Sequence, residues 1–147
     1  MTAENAREEQ LRLLGTVFSS SQQSVIITDH QHRIVEMNES FVQSSGFTRA
    51  ELLGRDPADF SRDVNPRDFF DELWREFDRH GHWSGEIRIR RGDGSLMAGL
   101  MSMDGVRDGR GVLTHHVSIL SDISHLKEHQ LELERIANYD VLTGLPN

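Results

Sequence analysis

The chain has 147 residues and a formal charge of −8, from 16 lysines and arginines against 24 aspartates and glutamates, with 36% apolar residues and no cysteine. That length holds one domain with helical extensions rather than two full cores. The acid excess, without any local Lys/Arg stripe, argues against nucleic acid or acidic lipid as partners, and the missing thiols exclude disulfides, cysteine nucleophiles and cysteinyl–flavin chemistry.

Residues 4–18 place Leu11, Leu14 and Phe18 at i, i+3, i+7 among charged neighbours, the stripe of an amphipathic helix that Ser19, Ser20 and Ser21 close. Two short β-branched runs, 24–28 and 33–37, flank the polar Asp29-His30-Gln31-His32 and predict a hairpin. Asn38 suits the cap of a helix running to Ser45, with Gly46 as its left-handed exit, and Thr48 to Glu51 has capping-box spacing. Asp56-Pro57 and Asn65-Pro66 each set a capping side chain before a proline fit for the first helical position. After the second pair, Phe69, Phe70, Leu73, Trp74 and Phe77 form a broad apolar face on a helix over 66–79.

From Trp83 the period changes to two: Trp83, Gly85, Ile87 and Ile89 alternate with polar residues, predicting a strand over 83–91. Two more extended runs, 96–106 and 112–121, follow across glycine-rich turns and complete a three-stranded meander. Leu126, His129, Leu133 and Ile136 then mark a second amphipathic helix over 125–138. The expected class is α+β: a five-stranded antiparallel sheet with short helices on one face and an amphipathic helix at each end. Phe70, Trp74, Ile87, Leu100 and Val117 are expected among its buried residues. No apolar run approaches the roughly 20 residues of a membrane span, and the opening MTAENAREEQ is polar and acidic, so the chain reads as soluble and cytoplasmic.

These residues resemble a PAS domain over Gln22 to Lys127. The likeness is carried by His82-Trp83-Ser84-Gly85-Glu86-Ile87, by Arg90-Arg91-Gly92-Asp93-Gly94, by Val106-Arg107-Asp108 and by His115-His116-Val117. Ser121-Asp122-Ile123-Ser124 resembles the Asp-Ile-Thr signature that opens a PAS exit helix, with Ser124 in place of the threonine. The tail, Asp140-Val141-Leu142-Thr143-Gly144-Leu145-Pro146-Asn147, resembles the start of a GGDEF diguanylate cyclase domain. The resemblance implies the PAS fold with strand order 2-1-5-4-3, and divides the chain into an N-terminal helix (1–21), a PAS domain (22–124), an exit helix (125–139) and the first GGDEF residues (140–147). It implies the sensory segment of a cyclic-di-GMP signalling protein. None of the cyclase's catalytic residues is present, so no enzymatic activity is expected of these residues.

A ligand is expected between the sheet and the helices of 39–79, touching some of Asn38, Phe70, Trp74, Trp83, Met101 and His115, where an apolar concavity has a few polar groups. The ligand itself is unknown. Trp74 and Trp83 resemble the tryptophans of FAD-binding redox-sensing PAS domains, which makes flavin the first cofactor to test, with Asn38 offering amide hydrogen bonds. Haem is disfavoured, because the helix body from Phe69 to Arg79 has no histidine. The pairs His30/His32 and His80/His82 are spaced for metal, yet no cysteine or His-Glu-x-x-His helix completes a site. Met97, Met101 and Met103 share a strand face with Gly99, where closer approach of a neighbouring backbone or a ligand is expected. The expected partners are a second copy of the chain, through the N-terminal helix and through Leu126, Leu133 and Ile136, and a C-terminal GGDEF domain. Two functions remain open on sequence grounds: a ligand- or redox-sensing module, and a ligand-free dimerisation and spacer module.

Overall fold

The computed structural model describes residues 3–20 and 22–137, with side chains over 5–16 and 22–137. An N-terminal helix α1 (Ala3–Ser20) leads into β1 (Ser24–Asp29) and β2 (Ile34–Met37), followed by α2 (Glu39–Ser45), α3 (Arg49–Leu52), two single turns of 3₁₀ helix and α4 (Phe69–His80). Then come β3 (His82–Arg90), β4 (Leu96–Arg107), β5 (Leu113–Asp122) and α5 (Ser124–Ala137). The sheet is five-stranded with order β2-β1-β5-β4-β3, and every pairing is antiparallel. Among the described residues no helix is long and apolar enough to cross a membrane.

Local chemistry sets most boundaries. The Asn38 side chain accepts from the Phe41 N–H and starts α2, Gly46 at φ +73° ends it, and Thr48 and Glu51 form a reciprocal capping box on α3. Asp56 caps the first 3₁₀ turn, with Pro57 in its first position. The expectation at Asn65-Pro66 is corrected. Helix α4 starts later, after a turn closed by Phe69 N–H on the Pro66 carbonyl. The Asn65 amide is engaged elsewhere: it donates to the carbonyls of Ser61 and Arg88, and its oxygen accepts from Arg88 N–H. It thus pairs with β3 as a neighbouring strand would. On the opposite sheet edge Ile34 donates to the Arg55 carbonyl and accepts from Gly54 N–H.

The helices cover one face of the sheet. Ile26 from β1, Trp83, Ile87 and Ile89 from β3, Met97 and Met103 from β4 and Leu120 from β5 are buried there against Phe41, Leu52, Leu73 and Phe77. These side chains form two clusters, one under α2 and α3 and one under α4, with Met101 packed against both. Ile87 is buried as expected, and Phe70 and Trp74 are half-buried. Leu100 is not buried: it is 50% exposed on the outer face, one residue out of phase with Gly99 and Met101. Val117 is half-buried on that same outer face, because His116 and Ser118 are the residues that point inward.

Candidate functional site

A cavity of about 70 Å³ lies between the inner sheet face and the helices. Ile26, Ile87, Met101 and Leu120 form its sheet wall, Phe70, Leu73 and Trp74 its α4 wall, and Thr28, His32, Ser61 and Ser118 are among its few polar groups. Next to its Leu120 wall, β4 carries Gly99 at an inward position. A Cβ there would lie 2.5 Å from Cδ1 of Leu120, so the glycine gives the leucine side chain its place beside the cavity. The close approach at Gly99 is made by a side chain, where a backbone or a ligand is expected.

Of the six residues expected at a ligand, Phe70, Trp74 and Met101 line the cavity and Asn38, Trp83 and His115 do not. Asn38 is 2% exposed, and its amide is committed to the backbone: the oxygen accepts from Val25 and Phe41 N–H, and the nitrogen donates to the Gln23 carbonyl. It ties β1 to α2. Trp83 is 8% exposed in the α4 cluster, where its ring lies over Gly85 so closely that a Cβ there would meet it at 2.9 Å. His115 stays on the outer face against the Thr114 hydroxyl.

His116 takes the inward place instead. Its ring is 2% exposed and lies edge-on to Trp74 at 5.0 Å, to Phe77 at 5.1 Å and to His32 at 5.5 Å between centroids. The Thr28 hydroxyl is 3.5 Å from its Nδ1. Burial pushes the imidazole below its ordinary value, and His32 acts in the same direction. His32 stacks face to face on Trp74, with centroids 3.9 Å apart and 2° between the ring planes. Neither contact is anticipated by the spacing of the histidines. His80 is exposed and His82 pairs with Asp104 at 2.8 Å, and among the described residues no group of three His, Asp or Glu is placed to hold a metal ion.

This geometry does not fit a flavin between the two tryptophans. One indole face of Trp74 is covered by His32, Trp83 is packed into the core, and a cofactor of that size needs a cavity of roughly 300 Å³ or more. Haem fails on the same volume.

Residues 22–125 match the family of the PAS domain. The chain belongs to the PAS domain family. A nitrogen fixation regulatory protein of Klebsiella oxytoca is 25% identical over 133 residues, covering 86% of this chain and 27% of that protein. The chain thus spans about a quarter of that relative's length. Among solved structures, a PAS domain from Colwellia psychrerythraea superposes with a TM-score of 0.73 at 18% identity, covering 79% of this chain and 98% of the other. The PAS domain of an HTR-like protein from Haloarcula marismortui gives 0.67 at 24% identity, covering 82% and 97%. At these identities the solved structures speak for the fold.

The PAS core is joined to its exit helix at one junction. Arg91, after β3, donates to the Ser44 carbonyl at the end of α2, to the Ser95 hydroxyl and Leu96 carbonyl at the start of β4, and to Asp122 at 3.0 Å. The other oxygen of Asp122 accepts from Ser124 N–H and starts α5, while the Ser124 hydroxyl accepts from Ala98 N–H. Ser124 thus joins the start of α5 to β4 through its hydroxyl. The last residues of the expected exit helix and the GGDEF-like residues, 138–147, lie outside the described residues.

Proposed function

We propose that this PAS domain senses a small, mainly apolar ligand in the cavity behind Leu120 and passes its state through Asp122 to α5, controlling a C-terminal diguanylate cyclase in a dimer. The observation that carries the reading is covalent: Leu120, a cavity wall, is two residues from Asp122, which both starts α5 and is held by Arg91. Movement of one displaces the other. The regulatory name of the Klebsiella relative supports a signalling role, and the sequence of Asp140 to Asn147 supports the cyclase as output. Dimerisation is supported by the exposed Leu126, Leu133 and Ile136 on α5 and by Leu11 and Leu14 on α1, apolar stripes suited to a partner surface.

Xenon is a suitable probe of a cavity this small. It is expected to shift the methyl NMR signals of Met101, Met103 and Leu120. Gly99→Ala is expected to push Leu120 into the cavity at a cost of about 1 kcal/mol and remove those shifts. Methyl signals indifferent to xenon in the unsubstituted chain would favour the ligand-free spacer.

The output side has its own test. Leu133→Asp puts an unpaired charge on the α5 stripe, and in the full-length protein it is expected to lower dimer content and disconnect cyclase activity from the sensor. Unchanged oligomeric state and unchanged regulation would reduce α5 to a spacer.

A further inference from the structure

We propose that His32, Trp74 and His116 form a proton-operated latch, which holds the β1–β2 turn against α4 at neutral pH and releases it on mild acidification. The proposal does not depend on which ligand the cavity takes. His32 and Trp74 both line that cavity, so their stack is part of its wall, and separating the two rings opens it.

The closed state is built deliberately by the turn. Among the described residues His32 is the single non-glycine with positive φ, at +64°, a backbone region that non-glycine residues adopt uncommonly and that His, like Asn and Asp, tolerates better than most. Its N–H donates to the Asp29 carbonyl at 3.0 Å. The Asp29 carboxylate accepts from Gln31 and Arg33 N–H on either side of it. The turn is thereby fixed with its imidazole delivered flat onto the Trp74 indole, and His116 stands edge-on behind both rings.

The charges around His116 decide what a proton does there. From its own strand, His115 opposes protonation; from the turn, His32 does the same; from β1, the Asp29 carbonyl favours it; from α4, the Asp78 carboxylate favours it. The Asp29 carboxylate is occupied by Arg33, and β4 presents only Gly105 opposite in the ladder. Burial outweighs the favourable pair and holds the His116 imidazole below its ordinary value, so the neutral form is favoured. A proton on His116 puts a charge into an apolar wall, where it has no water, and the ring that separates it from solvent on the turn side is His32. His32, on an exposed turn, is the one free to leave.

The two tryptophans of the chain allow a test without touching the cluster. With 5-fluorotryptophan incorporated, ¹⁹F NMR gives one resonance for Trp74 and one for Trp83, assigned with Trp74→Phe. Between pH 8 and pH 5 the Trp74 resonance is expected to shift while Trp83 holds still and far-UV circular dichroism is unchanged. The shift should track proton uptake by His116, read from its imidazole ¹⁵N signals. His32→Asn keeps a residue tolerant of positive φ; it should leave the fold in place, ease proton uptake by His116 by removing an opposing neighbour, and reduce the Trp74 shift to the part that His116 exerts across their 5.0 Å contact. The latch is refuted if the Trp74 shift survives His32→Asn undiminished, if it does not follow the His116 signals, if His116 stays neutral in the folded protein down to pH 5, or if the shift coincides with global unfolding.

Discussion

Gly92→Ala is expected to destabilise the domain by about 3 kcal/mol, at the upper end for forcing extra atoms into a packed site. The reason is a contact between two stretches of backbone. A Cβ on Gly92 would lie 2.5 Å from the Gly46 carbonyl oxygen and 3.0 Å from its carbon, and neither atom can rotate away. Relief requires the β3–β4 turn to separate from the end of α2, which breaks the 2.8 Å hydrogen bond from Gly92 N–H to the Ser45 carbonyl. Gly109→Ala is the matched control, since its Cβ would meet nothing within 4 Å, and it should change stability by no more than about 0.5 kcal/mol. Urea denaturation of the two variants decides the matter. Equal midpoints would mean that α2 and the β3–β4 turn are not in contact.

Arg91→Ala is the second large effect, and it is expected to be selective. Its guanidinium joins α2, the β3–β4 hairpin and Asp122 through four acceptors, a fan of donors that a lysine ammonium cannot reproduce. Because the Arg91 and Asp122 side chains are 24% and 38% exposed, the loss is set at about 2 kcal/mol rather than the larger value of a buried pair. That corresponds to a fall in Tm of about 8 °C for a domain of this size. The distinguishing readout is hydrogen exchange. The amides of Ile123 and Lys127, bonded to the Ala98 and Ile123 carbonyls, should lose protection well before those of β1, and Arg91→Lys should restore less than half of it. Uniform loss across the sheet would show that Arg91 stabilises the domain without favouring α5.

The pH dependence of this junction differs from that of the histidine cluster. Burial raises the Asp122 carboxyl, but Ser124 and Arg91 outweigh it and hold the group below the usual carboxylate range. A carboxylate depressed in the fold contributes stability in full above its unfolded value, and loses it only as pH falls through the folded one. Loss of α5 docking in acid therefore depends on protonating Asp122 and not on His116. Acid release of the β1–β2 turn and acid release of α5 are separable events.

Turn and cap chemistry made the element order legible in the sequence. Asn38, Gly46, Thr48 and Asp56 act where their side chains or conformational freedom predicted, because each works within a few residues of itself. The inner face of β5 was not legible, and the reason is physical. In the middle of β5, Val117 and Ile119 are apolar yet face outward, while His116 and Ser118 face inward, so binary pattern points the wrong way there on a sheet whose outer face is also apolar. The same ambiguity misplaced Leu100 and chose His115 over His116. Phasing β5 from Leu120, which pairs with Met101, would have found the correct set. Asn38 lies away from the cavity, its amide held by the backbone of Gln23, Val25 and Phe41, and two of these three contacts are fixed by tertiary placement. The stacking of His32 on Trp74 joins residues 42 positions apart, beyond any local signal.

The Asn65 amide and the Gly54–Arg55 backbone carry a consequence for self-association. An open sheet invites growth, because each outermost strand offers unpaired N–H and carbonyl groups to any extended chain. Here the row on β3 is interrupted at Arg88 by a side chain that already imitates a strand, and the row on β2 is interrupted at Ile34 by a loop. A neighbouring molecule cannot continue the ladder at either place without displacing a native pair. Fibril-like stacking is thus resisted by two local plugs.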